Sequence, residues 1–67
     1  MASIDSERLY QELGIRIEKK RKELGLSQAQ LAQKIGKERT SISNIESGKQ
    51  HAPLHTLYEL SLILSLS

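Results

Sequence analysis

The chain has 67 residues and a formal charge of +2, from ten Lys or Arg against eight Asp or Glu, and it contains no cysteine. That length bounds it to one small domain, 1–67, and the missing cysteines exclude disulfide staples and zinc–thiolate sites. Phe and Trp are absent and Tyr occurs twice, so the core has to be Leu and Ile with some Ala, which favours helices over sheet.

The N-terminus is polar and charged, with no secretory leader visible. Ser3 or Asp5 offers an N-cap to a first helix, with Glu7 near the positive end of its dipole. Leu9, Leu13, Ile17 and Leu24 then recur at helical spacing, with Tyr10 beside the stripe and Arg16, Lys19, Lys22 and Glu23 opposite. Gly14 interrupts this pattern. An interior glycine costs about 0.5–1 kcal/mol relative to alanine, so the first turns are expected to fray. Lys19, Lys20, Arg21 and Lys22 form a basic run, and Lys34, Lys37, Arg39 and Lys49 continue the basic character. Taken alone, such a run is equally well a solvated helix face.

Leu24-Gly25-Leu26-Ser27 marks a boundary. Gly25 suits the left-handed position past a helix end, and Ser27 with Gln30 makes a capping box. Leu26 and Leu31 are spaced as a hydrophobic staple. A short second helix follows, about 28–35, with Leu31, Ala32 and Ile35 inward, and Gly36 ends it. After Lys37 and Glu38 a third helix runs to about residue 47. Ile42 and Ile45 form its inner stripe, and Arg39, Thr40, Ser43 and Asn44 face away. Gly48 terminates it. Residues 49–53 read as a loop, and Pro53 suits the first turn of a fourth helix carrying Leu57, Leu60 and Leu64. The alternation of Leu62, Leu64 and Leu66 also fits a strand, but length and the preceding helical context favour helix. The apolar tail 60–66 is too short to span a bilayer.

The second and third helices, joined through a turn containing Gly36, form a helix-turn-helix pattern at about 27–47. Ala32 is small enough for close crossing, and Ile35, Ile42 and Ile45 lock the angle by burial. The outer face of the third helix then carries groove-reading chemistry. Arginine makes two bonds to guanine, asparagine two to adenine, and serine or threonine contacts phosphate or a base edge. Gln28 sits at the positive end of the second helix, and Lys37 and Lys49 flank the third, where they can neutralise a phosphate backbone.

Two segments carry a resemblance to a known family: Leu-Gly-Leu-Ser-Gln-Ala-Gln-Leu-Ala-Gln-Lys-Ile-Gly at 24–36 and Ser-Ile-Ser-Asn-Ile-Glu-Ser-Gly-Lys at 41–49. Together they resemble the Cro/CI-type, or XRE-like, helix-turn-helix regulators over about 13–64. The resemblance implies an all-α, lambda-repressor-like bundle of four to five helices that binds double-stranded operator DNA, usually as a homodimer. By position it implies base reading by Arg39, Thr40 and Asn44, with Ser43 adjacent and Gln28 contributing. Ser27, Lys37, Ser47 and Lys49 fall at backbone-contacting positions, and Arg21 with Glu46 at a buried ion pair. The chain departs from the family pattern at Lys20, commonly apolar there, and at Ser65, where a glycine often ends the fourth helix. It also reaches only to where a fifth helix would begin.

No catalytic constellation is present. Ser41, Ser43 and Ser47 lack an arranged base, and no glycine-rich phosphate loop occurs. His51 and His55 have metal-pair spacing but no further ligand in the sequence to complete a site, so they read as loop and surface histidines, and no cofactor or small-molecule ligand is implied. Leu62, Ile63 and Leu66 make the fourth helix apolar on more than one face, which points to a homodimer seam with Tyr10 and Ile15 as further candidates. The expectation is a sequence-specific DNA-binding regulator of the prokaryotic cytoplasm or nucleoid. The competing expectation is an antitoxin-like or coactivator interaction module with little base readout.

Overall fold

Left-handed glycines set the outline of the molecule. The computed structural model describes residues 5–65, which form α1 (Ser6–Glu23), α2 (Gln28–Lys34), α3 (Arg39–Glu46) and α4 (Leu54–Leu64). Gly36 has φ 66°; its N–H donates to the Gln33 carbonyl (3.3 Å), and the next N–H, of Lys37, reaches back to Ala32 (2.9 Å). This pair of bonds closes a helix when the residue past the cap is left-handed, a conformation glycine adopts without a Cβ clash. Gly25 and Gly48 close α1 and α3 by the same pattern. Because α1, α2 and α3 each stop on such a turn, α2 and α3 are held across one another by a connection with no slack.

The start signals are equally local. The Asp5 carboxylate accepts the Glu7 N–H at 3.0 Å and caps α1; Ser3, the other candidate, lies outside the described residues. Ser27 Oγ accepts the Gln30 N–H at 3.0 Å, while Gln30 Oε1 accepts the Ser27 N–H at 2.7 Å, completing the capping box. Pro53 is the N-cap of α4 and not its first helical residue. Its extended ψ of 156° precedes the first helical turn, where its lack of an N–H is harmless.

Helix α1 packs on α3 and α4, and α2 packs on α3. The core is Ile17 from α1, Leu31 and Ala32 from α2, Ile42 and Ile45 from α3, and Leu60 and Leu64 from α4, with Ile35 and Ala52 from the connections. Leu13, Leu26, Leu57 and Ile63 pack against it, half-buried. Leu9 and Leu24 belong to the α1 stripe but are half exposed, because they lie near the helix ends.

Gly14 reverses its expected role. Helix α1 runs through it without a break, and the residue is buried. A Cβ at this position would lie 2.5 Å from the carbonyl oxygens of both Ile45 and Glu46. Gly14 is therefore the crossing point of α1 over the last turn of α3, not a place where α1 frays. Among the described residues no helix is long and apolar enough to cross a membrane.

Candidate nucleic-acid interface

Helix α3 is divided lengthwise. Ile42 and Ile45 are sealed in the core, at 0% and 4% exposure. Arg39 and Thr40 are exposed, and Ser43 and Asn44 half-exposed, on the side left free by that burial. Residues 39, 40, 43, 44 and 47 recur at the spacing that puts side chains on one helical face. The face holds one cation, one amide and three hydroxyls, all able to donate and most to accept hydrogen bonds.

Behind this face lies a buried ion pair. Arg21 Nε donates to Glu46 Oε2 at 2.6 Å and Arg21 Nη2 to Glu46 Oε1 at 3.0 Å, with side-chain exposures of 8% and 2%. The third arm, Nη1, donates to the Leu26 carbonyl at 2.8 Å, just beyond the end of α1. Both oxygens of the carboxylate and all three nitrogens of the guanidinium are thus satisfied, which a charge pair needs when it leaves water. The hydrogen bonds that Arg21 donates to Glu46 hold its guanidinium above its ordinary pKa, against the opposing pull of burial. Arg21 is drawn inward out of the basic run. Its neighbours Lys20 and Lys22 pair on the surface with Glu23 and Glu18, contacts of little energetic weight.

The buried pair is connected to the outer face. Gln28 Nε2 donates to Glu46 Oε1 at 3.0 Å, and Gln28 Oε1 accepts from Arg39 Nη1 at 3.3 Å. With its amide facing a carboxylate on one side and a guanidinium on the other, Gln28 has one favourable orientation. The start of α2 thereby braces the first residue of α3. Sequence reasoning placed Gln28 on the reading surface but missed both bonds, since neither the 18-residue nor the 11-residue separation leaves a local signal.

The remaining candidates surround α3. Ser27 Oγ is already the acceptor in the α2 cap. Ser47 is the C-cap of α3, and its Oγ donates to the Asn44 carbonyl at 3.2 Å. Lys37 precedes α3 in the turn and Lys49 follows it, both exposed. Beyond Lys49, the His51 ring stacks on Tyr10 with centroids 3.9 Å apart and planes 10° apart, and His51 Nε2 lies 3.3 Å from Glu7 Oε1. His51 is thus a clamp between the loop after α3 and the first turns of α1, which the sequence did not reveal. Of the candidate seam residues, Tyr10 is engaged in this stack and Ile63 packs against the core, while Ile15 and Leu62 are exposed. Leu66 lies outside the described residues. Among the described residues no cluster of His, Asp and Glu is grouped to hold a metal ion.

Two short helices locked through a left-handed glycine, one buried along one side and polar along the other, define a helix-turn-helix domain. A family model described as helix-turn-helix matches residues 17–67, and the chain belongs to that family, the Cro/CI-type or XRE-like DNA-binding regulators.

Proposed function

We propose that this domain reads double-stranded DNA sequence-specifically as a transcriptional regulator, with helix 39–47 in the major groove, as a homodimer on a palindromic operator. The observation that carries the reading is the lengthwise division of α3. Ile42 and Ile45 fix the helix in the core, so Arg39, Thr40, Ser43 and Asn44 are presented at a set angle on a rigid element. Arg39 suits the two acceptors of guanine, and Asn44 the donor–acceptor edge of adenine. The brace from Gln28 reduces the freedom Arg39 has to lose on binding. Ser27, Lys37, Ser47 and Lys49 lie around α3 where they contact phosphates, and their role is register and affinity, not sequence. Two copies would read half-sites about one helical turn apart. A cytoplasmic or nucleoid location and a non-enzymatic role follow from the same reading.

Selection of bound sites from a random duplex pool tests it directly. A recovered motif supports base readout, and a palindromic one supports the dimer. Arg39→Ala is expected to lose about 1–3 kcal/mol on the selected site and to relax preference at one base pair. An equal loss on selected and random duplex would demote Arg39 to a phosphate contact. Lys49→Ala is expected to weaken all duplexes alike and to lower the slope of log affinity against log salt by about one. Absence of salt-dependent binding to any duplex would refute the DNA reading and leave a protein-interaction module.

A further inference from the structure

Residues 27–49, which carry the helix-turn-helix, include two carboxylates. Glu46 is buried against Arg21, whereas Glu38 is exposed. Glu38 is the N-cap of α3, with extended backbone at ψ 152°, yet its side chain makes no cap hydrogen bond. The N-caps of α1 and α2 behave differently, since Asp5 and Ser27 each accept an N–H of the helix they start. The extra methylene of a glutamate carries its carboxylate past the N–H groups that Asp or Ser reaches. Nor does a cation neutralise Glu38. Among the described residues Glu7, Glu12, Glu18, Glu23 and Glu46 each lie against a basic side chain, and Glu38 does not, although Lys37 and Arg39 adjoin it in sequence. The Arg39 guanidinium donates to Gln28 instead, at 3.3 Å.

We infer that Glu38 is a specificity-determining residue, which reads a cytosine in the major groove beside the base pair taken by Arg39. The inference rests on the DNA reading above and adds to it a residue that gains at one base and loses at the other three. Residues at the start of a recognition helix are the ones that reach base edges. Glu38 immediately precedes the first turn of α3 and is exposed together with Arg39 and Thr40. A carboxylate holds acceptors alone, so a phosphate or an acceptor edge repels it and strips its water without replacement. Guanine presents two acceptors, and thymine one beside a methyl group. Adenine has an amino donor, but its neighbouring N7 is an acceptor and repels the second carboxylate oxygen. Cytosine presents the N4 donor with no acceptor of its own in the groove. Arg39 and Glu38 thus ask for opposite chemistry from adjacent base pairs, acceptors for the guanidinium and a donor for the carboxylate. Because Gln28 engages the guanidinium, the two charges do not neutralise one another before DNA arrives. Repulsion between Glu38 and phosphates also weakens binding to every sequence that lacks the cytosine, which widens the gap between target and background.

Site selection from a random duplex pool, run with the native chain, Glu38→Ala and Glu38→Gln, tests the assignment. The native motif is expected to hold a cytosine next to the position that Arg39→Ala relaxes. Glu38→Ala should leave that position indifferent and the others as they were. Its affinity for the native site should fall roughly tenfold, while its affinity for random duplex rises. Glu38→Gln should exchange the cytosine for adenine, whose N6 and N7 suit an amide. The Glu38 side chain makes no hydrogen bond or ion pair among the described residues, so both variants should keep the native far-ultraviolet circular dichroism spectrum and melting point. A cytosine kept as strictly by either variant as by the native chain would overturn the assignment. So would a gain in affinity for all duplexes alike with an unchanged motif, which would reduce Glu38 to a charge acting on phosphates. In both cases a motif is still selected, so the DNA reading stands. A native chain that selects no motif refutes the DNA reading itself, and this assignment with it.

Discussion

Gly14→Ala is the substitution at which local helix preference and tertiary packing predict opposite signs. Inside a helix, alanine is favoured over glycine by about 1 kcal/mol, so propensity alone makes the variant more stable. The structure puts the new methyl 2.5 Å from two carbonyl oxygens and 2.8 Å from the Glu46 carbonyl carbon, where ordinary contact begins at 3.4 Å. Relief requires α1 and α3 to separate by close to 1 Å, or the last turn of α3 to move. These neighbours are backbone atoms of a turn whose Ile45 and Glu46 side chains are buried, so no rotamer change relieves the clash. Overpacking of this kind costs typically 1–3 kcal/mol, occasionally more. Set against the propensity gain of about 1 kcal/mol, the net loss is up to about 2 kcal/mol, or a fall in Tm of up to roughly 15 °C for a domain of this size. Thermal melting and urea unfolding, followed by circular dichroism at 222 nm, measure it. A Tm raised by several degrees would refute the close crossing.

The other stability predictions concern buried polar groups. Glu46→Leu leaves the Arg21 guanidinium buried without its partner and should cost about 3–5 kcal/mol, most of the stability a domain this small possesses. The double variant Arg21→Met, Glu46→Leu should recover most of that loss in urea unfolding; a single-variant loss below 1 kcal/mol would contradict the burial of the pair. Thr56 is 1% exposed and its Oγ1 has no hydrogen-bond partner among the described residues. Thr56→Val should therefore raise the urea midpoint, by up to about 1 kcal/mol in stability, and a lowered midpoint would show that the hydroxyl is bonded after all.

The signals legible in the sequence are those that act within a few residues. Gly25, Gly36 and Gly48 announce helix ends because a left-handed residue past the cap is a property of the local backbone. Ser27 with Gln30 announces a start for the same reason. The inward set Leu31, Ala32, Ile42 and Ile45 followed from helical periodicity, as did Leu60 and Leu64. What escaped depends on which segments meet. Gly14 looks identical in sequence whether it weakens a helix or admits a neighbour. The stack of His51 on Tyr10 joins residues 41 positions apart, and the two bonds of Gln28 depend on the crossing of α2 and α3. On α4 the exposure of Leu54 and Tyr58 left no signal either, because a helix apolar on several faces does not declare which of them the core takes.

The scarcity of aromatic rings turns the stack of Tyr10 and His51 into a built-in reporter. The chain has two tyrosines, two histidines and neither tryptophan nor phenylalanine, so its aromatic resonances are few. With centroids 3.9 Å apart and nearly parallel planes, the ring current of Tyr10 displaces the imidazole proton resonances of His51 upfield. Those resonances return towards free-histidine positions whenever the loop after α3 lifts from α1. Tyr58 stands in solvent on the far side of α4, and its resonances answer to contacts made there instead. One sample of isotope-labelled protein, titrated with unlabelled duplex and observed with the duplex signals filtered out, therefore reports separately on the loop after α3 and on the outer face of α4.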